Sequence, residues 1–284
     1  MKKIGKIAAL ALLSASLFAS EVQYGSGTIS LKGGLFGLNS KVSENITSYS
    51  MVEQHKNLLG SNWYYKYNFT WFDSQKMTQS LNLFNSGLST VGFPQISYKF
   101  EGMDINAVLG YDLRHKSEND HIGIGVLFGI STPWIESQNS SNSNMGSHLL
   151  DAMQTSKTKF LTYKIGPSIT FRKNFGNYFA VYGSAAIGYE YAKIKNGYAQ
   201  VNSSANGLFQ EYDAGIMFIP LSKDYKVTSW LTLSPRLYAT LGYRYTDWKL
   251  NDIAVNITGL NLYVPPTDFQ ATTSIGYFGL GYSF

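Results

Sequence analysis

The chain has 284 residues, 21 tyrosines, 17 phenylalanines, 5 tryptophans and no cysteine, and only 14% of it is charged, where soluble domains average about 25%. A hydrophobic share of 44% is enough to build a core, which excludes a disordered chain. The lack of cysteine excludes disulfide scaffolds, thiolate metal sites, cysteine nucleophiles and a lipid-modified N-terminal cysteine. The formal net charge is +5, but Lys2, Lys3 and Lys6 belong to the leader described next. The rest is nearly neutral, so we expect no nucleic-acid partner.

The N-terminus has the pattern of an export signal. Three lysines precede an apolar run from Ile7 to Phe18, and Ala19 offers a small residue for cleavage. This run is shorter than the about 20 residues that span a bilayer, and no later apolar run reaches that length. We predict a signal peptide over residues 1–19, a mature domain over residues 20–284 and no transmembrane helix.

Apolar and polar residues then alternate with period two, which is typical of β-strands. The clearest case is residues 62–72, where Trp63, Tyr65, Tyr67, Phe69 and Trp71 share one face. In chain order the pattern predicts ten strands, near residues 29–35, 62–72, 95–100, 104–113, 122–130, 161–172, 179–191, 207–221, 226–248 and 278–284.

The links between these strands alternate in length, as a barrel threaded through one membrane requires. The long polar links are residues 39–61, 134–156, 196–206 and 249–269, and the short ones are residues 115–120, 173–177 and 222–226. With the short links in the periplasm, ten strands place both termini there. The link at 101–104 is short for an outer loop. Residues 75–92 are long for a periplasmic turn and show the apolar spacing of a short helix, so eight or twelve strands remain alternatives.

Charged residues fall on the polar faces of the predicted strands and hardly at all on the apolar faces. Lipid imposes this asymmetry, because a charge in hydrocarbon costs several kcal/mol and a closed sheet pairs its own backbone. The polar faces therefore line the lumen of a barrel. The expected lumen residues are Lys32, Lys66, Lys99, Asp104, Asp112, Lys164, Arg172, Glu190, Glu211, Asp213, Arg236 and Arg244.

The last hairpin allows a more specific prediction. A turn centred near Asp224 would place Tyr212 roughly opposite Arg236. We therefore expect Glu211, Asp213 and Arg236 to form a paired cluster inside the barrel. The alternative is a solvated lumen wall with three independent charges.

The C-terminus carries a family resemblance. Phe278, Leu280, Tyr282 and Phe284 alternate up to the last residue, which resembles the recognition signal of Gram-negative outer-membrane β-barrel proteins. The resemblance implies an all-β, antiparallel up-and-down transmembrane barrel in the outer membrane. It also implies export through the periplasm, recognition by the barrel assembly machinery through sheet-edge pairing, and contact with outer-membrane lipids and lipopolysaccharide. It covers the last seven residues and indicates no subfamily.

The motifs of known outer-membrane enzymes are incomplete in this sequence. An omptin-type protease needs an Asp-x-His pair, and Glu53-Gln54-His55 is the nearest approach to it. The barrel-type lipid A deacylases use a His-x-Ser pairing, and His115-Lys116-Ser117 has that form but lies in a link assigned to the periplasm. His148 has no such neighbour. We expect no catalytic residue, no cofactor and no metal site.

Two functions from different classes remain. The first is a small porin-like channel lined by the polar faces. The second is a structural or surface-interaction barrel with a plugged lumen, whose long outer loops bind host, phage or neighbouring proteins. The bulky inward residues Tyr64, Tyr182 and Tyr238 count against a wide pore, because even an eight-stranded interior is filled by side chains. An enzyme of unrecognised type is a third and weaker alternative, and the sequence indicates neither an ion preference nor an oligomeric state.

Overall fold

The computed structural model describes residues 21–35, 38–80, 95–114, 120–137, 157–196, 201–221, 225–226, 232–233, 237–257 and 262–282. The predicted signal peptide and Phe284 lie outside these residues. Within them the chain forms strands and one short 3-10 turn, Leu58–Gly60. No helix in this part of the chain is long and apolar enough to cross a membrane. The strands are β1 (Glu21–Leu35), β2 (Leu38–His55), β3 (Trp63–Ser74), β4 (Met77–Ser80), β5 (Gln95–Asp112), β6 (His121–Ser131), β7 (Trp134–Ser137), β8 (Lys157–Phe175), β9 (Phe179–Asn196), β10 (Val201–Phe218), β11 (Tyr225–Lys226), β12 (Thr232–Leu233), β13 (Leu237–Ile257) and β14 (Leu262–Tyr282).

The long strands close into one antiparallel barrel. Each pairs with its neighbour along the chain, and β14 returns to β1 with Gly281 opposite Glu21. The short strand β4 extends β3 along β5, and β7 extends β6 in the same way. The barrel wall therefore has ten strands and no free edge, and the all-β prediction is confirmed.

Two errors in the predicted strands compensate each other. Residues 39–61 were expected to be a link, but β2 occupies most of this range, with small polar side chains such as Ser48 and Ser50 facing inward. Conversely, β5 runs without interruption through residues 101–104. It passes the ring of Phe72 at Gly102, where an added Cβ would lie 2.8 Å from that ring. The count of ten is therefore right although its members differ.

The corrected strands also move the links. Because β2 is a strand, residues 81–94 connect strand ends on the side of the barrel opposite the termini, where their length is ordinary. Only residues 197–200 separate β9 from β10, and only residues 258–261 separate β13 from β14, so two of the expected long links are short. The connection from β10 to β13 is longer than the predicted turn at 222–226 and contains the small β11–β12 hairpin. Met77–Ser80 is a strand rather than helix, and residues 81–92 of that prediction lie outside the described residues.

The stagger of the strands sets their tilt. Following paired residues around the wall from Ser74 through Arg244 and Asp112 leads back to Asn62, twelve residues earlier in the chain. With a rise of about 3.3 Å per residue and a strand spacing of about 4.8 Å, this stagger tilts the strands by about 40°. The same geometry gives a wall about 20 Å across between opposite backbones.

The two faces of the wall differ as a lipid environment requires. On β8 the outward residues Ile165 and Ile169 are 49% and 48% exposed, whereas the inward Thr170 is 2% exposed. The outward faces of β6, β9 and β14 show the same alternation. Large apolar side chains therefore cover the outside, and charged and polar side chains lie inside.

Candidate functional site in the barrel lumen

The structure orients eleven of the twelve expected lumen residues. Nine point inward, namely Lys66, Asp104, Asp112, Lys164, Arg172, Glu190, Glu211, Asp213 and Arg244. Lys32 and Lys99 instead lie on the outer face, whereas Ile29 and Phe100 of the same strands face inward. Their assignment to the lumen is therefore corrected. The physical reason is that the lumen becomes apolar near the end of the barrel far from the termini, while the exterior there becomes polar. Arg236 lies outside the described residues.

Arg244 is the centre of the first polar network. Its guanidinium donates to Gln23 Oε1 at 2.7 Å, Ser50 Oγ at 2.9 Å and Asp213 Oδ2 at 3.1 Å. Tyr277 donates from its hydroxyl to the other carboxylate oxygen of Asp213. One arginine therefore ties together strands on opposite sides of the wall.

This network corrects the predicted partner of Asp213. The register places Asp213 opposite Arg244, and Tyr212 opposite Tyr245. The predicted pairing with Arg236 was wrong because it assumed a tight turn near Asp224, whereas the β10–β13 connection is longer. The predicted cluster is replaced by two separate pairs, because Asp213 pairs with Arg244 and Glu211 pairs with Lys164.

Lys164 is the centre of the second network. Its ammonium is fully buried and contacts Asp104 Oδ1 at 2.8 Å and the carboxylate of Glu211. Asn106 donates to Asp104 at 2.8 Å and to Glu211 at 2.9 Å. Glu190 lies directly opposite Lys164 in the register and is 0% exposed, with no hydrogen bond to either carboxylate oxygen among the described residues. Three carboxylates thus surround one lysine.

A small cavity lies between the two networks. Its volume is about 40 Å³, and its lining includes Lys66, Asn68, Ser168, Glu211 and Arg244. This volume accommodates one or two water molecules and no organic solute. Around this cavity the charged side chains bind one another, with Glu211 on Lys164 and Asp213 on Arg244.

Apolar side chains fill the lumen beyond the Lys164 network. One buried cluster contains Phe72, Phe100 and Trp248, with the rings of Phe72 and Phe100 stacked at 5.3 Å. A second contains Phe160, Ile194, Leu250 and Ile253, and Phe269 and Ile135 pack against both. We call the two clusters together the apolar layer. The apolar layer was not predicted, although Phe72 and Trp248 share the strand parity of the inward Lys66 and Arg244.

Near the end of the lumen closest to the termini, aromatic and polar side chains pack together. Tyr64 is 0% exposed and its ring contacts that of His121 at 4.6 Å. His121 lies with Nδ1 3.0 Å from Asp112 and Nε2 2.7 Å from Thr170 Oγ1. A hydroxyl, an imidazole and a carboxylate in series are the parts of an activated nucleophile. Here each of the three is at most 2% exposed, so this trio packs the lumen.

The remaining histidine motif faces outward. His55 Nε2 lies 2.7 Å from Glu53 Oε1, and the Tyr65 hydroxyl donates to the same oxygen at 2.9 Å. These residues cover the outer face of the wall near the termini. Among the described residues no group of three acidic or histidine side chains is arranged to hold a metal. His115 and His148 lie outside that part of the chain.

No protein-family model and no curated protein matches the chain. Among solved structures, it is similar to the outer membrane protease OmpT of Escherichia coli, with 11% identity over 94% of this chain and 97% of that chain and a TM-score of 0.48. It is also similar to the attachment invasion locus protein Ail of Yersinia pestis, with 11% identity over 92% and 99% of the chains and a TM-score of 0.28. The toluene transporter TodX of Pseudomonas putida shows 9% identity over 96% and 91% and a TM-score of 0.31.

These solved structures are a protease, an attachment protein and a transporter. The chain itself supplies the features of a membrane β-barrel: a closed ten-stranded antiparallel wall, an apolar exterior and a polar layer inside. The protein therefore has the fold of a Gram-negative outer-membrane β-barrel protein.

Proposed function

We propose that this protein is a closed outer-membrane barrel that acts through its outer surface, as a structural or surface-interaction protein, and not as an open diffusion channel. The observation that supports this proposal is the apolar layer. Its members come from strands all around the wall, including β1, β2, β3, β5, β8, β9, β13 and β14. Ions cross a barrel only through continuous water, and a packed apolar layer holds none.

The polar networks support the same proposal. A conducting pore keeps its lining charges hydrated. Here the Lys164 ammonium has no exposed surface, and the Arg244 guanidinium donates hydrogen bonds to four neighbouring side chains. Such groups fix the wall in one conformation. A channel is the competing function, and the 40 Å³ cavity is the feature in its favour.

The location and orientation belong to the same proposal. Glu21 and Tyr282 lie at one end of the barrel, since β1 and β14 pair there, and we place this end in the periplasm after export. Phe278 and Leu280 are 50% and 55% exposed on the outer face, which is where the assembly machinery would read them during sheet-edge pairing. The ends of β4, β7, β9 and β13 then lie on the outer side.

Conductance in planar bilayers tests the closed lumen. We expect the purified wild type to insert without stable ion-conducting steps. A Phe72→Ala and Phe100→Ala double variant removes the stacked pair from the apolar layer and is expected to conduct, while Phe72→Leu, which keeps an apolar side chain there, stays closed. Stable conductance of the wild type, at a level unchanged by the double variant, would overturn the proposal in favour of a channel.

A further inference from the structure

The cavity between the two networks is lined by a lysine that has no carboxylate partner of its own. Lys66 donates one hydrogen bond, to Ser184 Oγ at 3.0 Å, and it forms no ion pair with any residue that the structure describes. An ammonium group carries three protons, so two of them remain for other acceptors. A cation held inside the wall without a counter-charge costs free energy, so this position favours the binding of an acceptor.

The carboxylates beside the cavity are taken by other cations. Asp213 attracts Lys66, but its Oδ2 lies 3.1 Å from the Arg244 guanidinium. Glu211 is paired with Lys164 instead. When each of these carboxylates is counted with the cation that it contacts, the positive charge of Lys66 is left over at the cavity.

The neutral groups around the cavity are also donors. Asn68 Oδ1 accepts from the Thr70 hydroxyl at 3.2 Å, whereas its Nδ2 has no acceptor among the described residues. The Ser168 hydroxyl lines the same space and has no hydrogen-bond partner in the part of the chain that the structure describes. Ser184 accepts from Lys66, which leaves its own proton for a further bond. Four donors from β3, β8 and β9 therefore surround one small volume.

We propose that the cavity binds a single halide ion, with chloride as the natural ligand, held by Lys66, Asn68 and the two serine hydroxyls. A halide accepts hydrogen bonds and donates none, which matches a lining of donors, whereas a water molecule would have to donate as well. Asn106 Oδ1 lacks a donor, but it is enclosed beside Gly129 and does not open into the cavity. The volume of about 40 Å³ admits a chloride ion, which is little larger than a water molecule, and excludes an organic anion. Such a site requires neither the orientation nor the closed lumen proposed above.

An ion that binds only the folded state stabilises it, and this linkage provides the test. Urea unfolding of the full-length protein in lipid vesicles is measured in sodium chloride and in sodium gluconate at equal ionic strength, because gluconate is too large for the cavity. Lys66→Met removes the ammonium group and keeps a long side chain. Lys173→Met is the matched control, since it removes the same charge from a half-exposed lysine at the barrel end.

We expect the wild-type unfolding constant to fall about tenfold when chloride replaces gluconate at about 0.3 M, as a dissociation constant of about 30 mM requires. Lys66→Met should have the same unfolding constant in both salts, whereas Lys173→Met should respond to chloride as the wild type does. Equal unfolding constants of the wild type in the two salts, or a full chloride response in Lys66→Met, would overturn the site.

Two further measurements test the site if Lys66→Met does not fold. Ser168→Ala leaves every charge in place and should need about fivefold more chloride for the same stabilisation, because one hydrogen bond to the ion is lost. Crystals grown in bromide should show an anomalous peak within hydrogen-bond distance of Lys66 Nζ. An unchanged chloride response in Ser168→Ala, or water alone at that position, would overturn the proposal. Neither result depends on lumen conductance, so the halide site and the proposed function can fail separately.

Discussion

Arg244 offers the sharpest test of how the lumen is held together. Its guanidinium has side-chain partners on β1, β2, β3 and β10, and its charge lies 5.1 Å from the ring of Tyr277 on β14. Breaking a buried ion pair by removing one partner costs about 3–5 kcal/mol, chiefly because the other charge is left without compensation. The free energy of unfolding should therefore respond strongly to the loss of this one side chain.

The structure refines that range for an Arg244→Met variant. Ser50 and Thr70 remain hydrogen-bonded to each other at 2.8 Å, and Gln23 still donates to Glu21 at 2.8 Å, so these groups lose little. Asp213 loses its cation but keeps the Tyr277 hydroxyl. We therefore expect a cost at the lower end of the range, about 3 kcal/mol.

The measurement is reversible urea unfolding in lipid vesicles, with the folded fraction read from gel mobility, for Arg244→Met, Asp213→Asn and the double variant. We expect the sum of the two single losses in free energy of unfolding to exceed the loss in the double variant by about 2 kcal/mol. Such a coupling lies in the range seen for contacting residues. Lys173→Ala is the control, because its pair with Asp120 at 2.5 Å is half exposed at the barrel end. That lysine holds the pKa of Asp120 below its usual range, which stabilises the folded state at neutral pH. Because solvent screens this exposed pair, its loss should lower the free energy of unfolding far less than the loss of Arg244. An Arg244→Met cost below about 1 kcal/mol, or additive single costs, would refute the network as the main tie across the lumen.

Three further outcomes are expected. Unboiled protein extracted from outer membranes should migrate differently on gels from boiled protein, because a closed sheet resists detergent, and identical migration would count against a folded barrel. Deleting Phe284 should lower outer-membrane levels while export continues, as fractionation would show, and normal levels would remove the assembly role of the C-terminal pattern. Glu190→Gln should raise the thermal midpoint, by about 2–4 °C for each kcal/mol recovered, because the buried carboxylate has no side-chain hydrogen bond in the part of the chain that the structure describes. Asp104→Asn should lower it by removing a partner of Lys164, and equal shifts of the same sign would contradict this difference.

The period-two pattern predicted the fold because lipid and lumen impose opposite demands on adjacent residues. It failed at β2, where small polar side chains such as Ser48 and Ser50 fill the inward positions and no strong apolar face stands out. It also failed at residues 101–104. Gly102 suggests a turn in the sequence, but in the structure its missing side chain leaves room for the Phe72 ring. Both failures involve small residues whose role depends on what lies across the lumen, which a single strand does not reveal.

The candidate site was predicted less completely, because the inward face is polar at some depths of the barrel and apolar at others. Parity assigns a side chain to one of two faces, and most inward charges were placed correctly in this way. The rule that polar means inward holds only within the hydrocarbon band, so Lys32 and Lys99, which lie beyond it, were placed on the wrong face. Pairing across the lumen depends on strand stagger, so the contact of Lys66 with Ser184, 3.0 Å apart and far separated in the chain, has no signature in either strand alone.

The order of the layers explains how a lumen this rich in charge is compatible with a stable wall. The Arg244 and Lys164 networks lie between the apolar layer on one side and the Tyr64 packing on the other, so water is largely kept from them. Ion pairs shielded from water interact more strongly, and unpaired charges there cost more. Each buried cation therefore needs its carboxylates, and a solute passing through would have to break these pairs one after another. If the barrel is closed as proposed, these pairs leave the outer surface as the part of the molecule that meets other molecules.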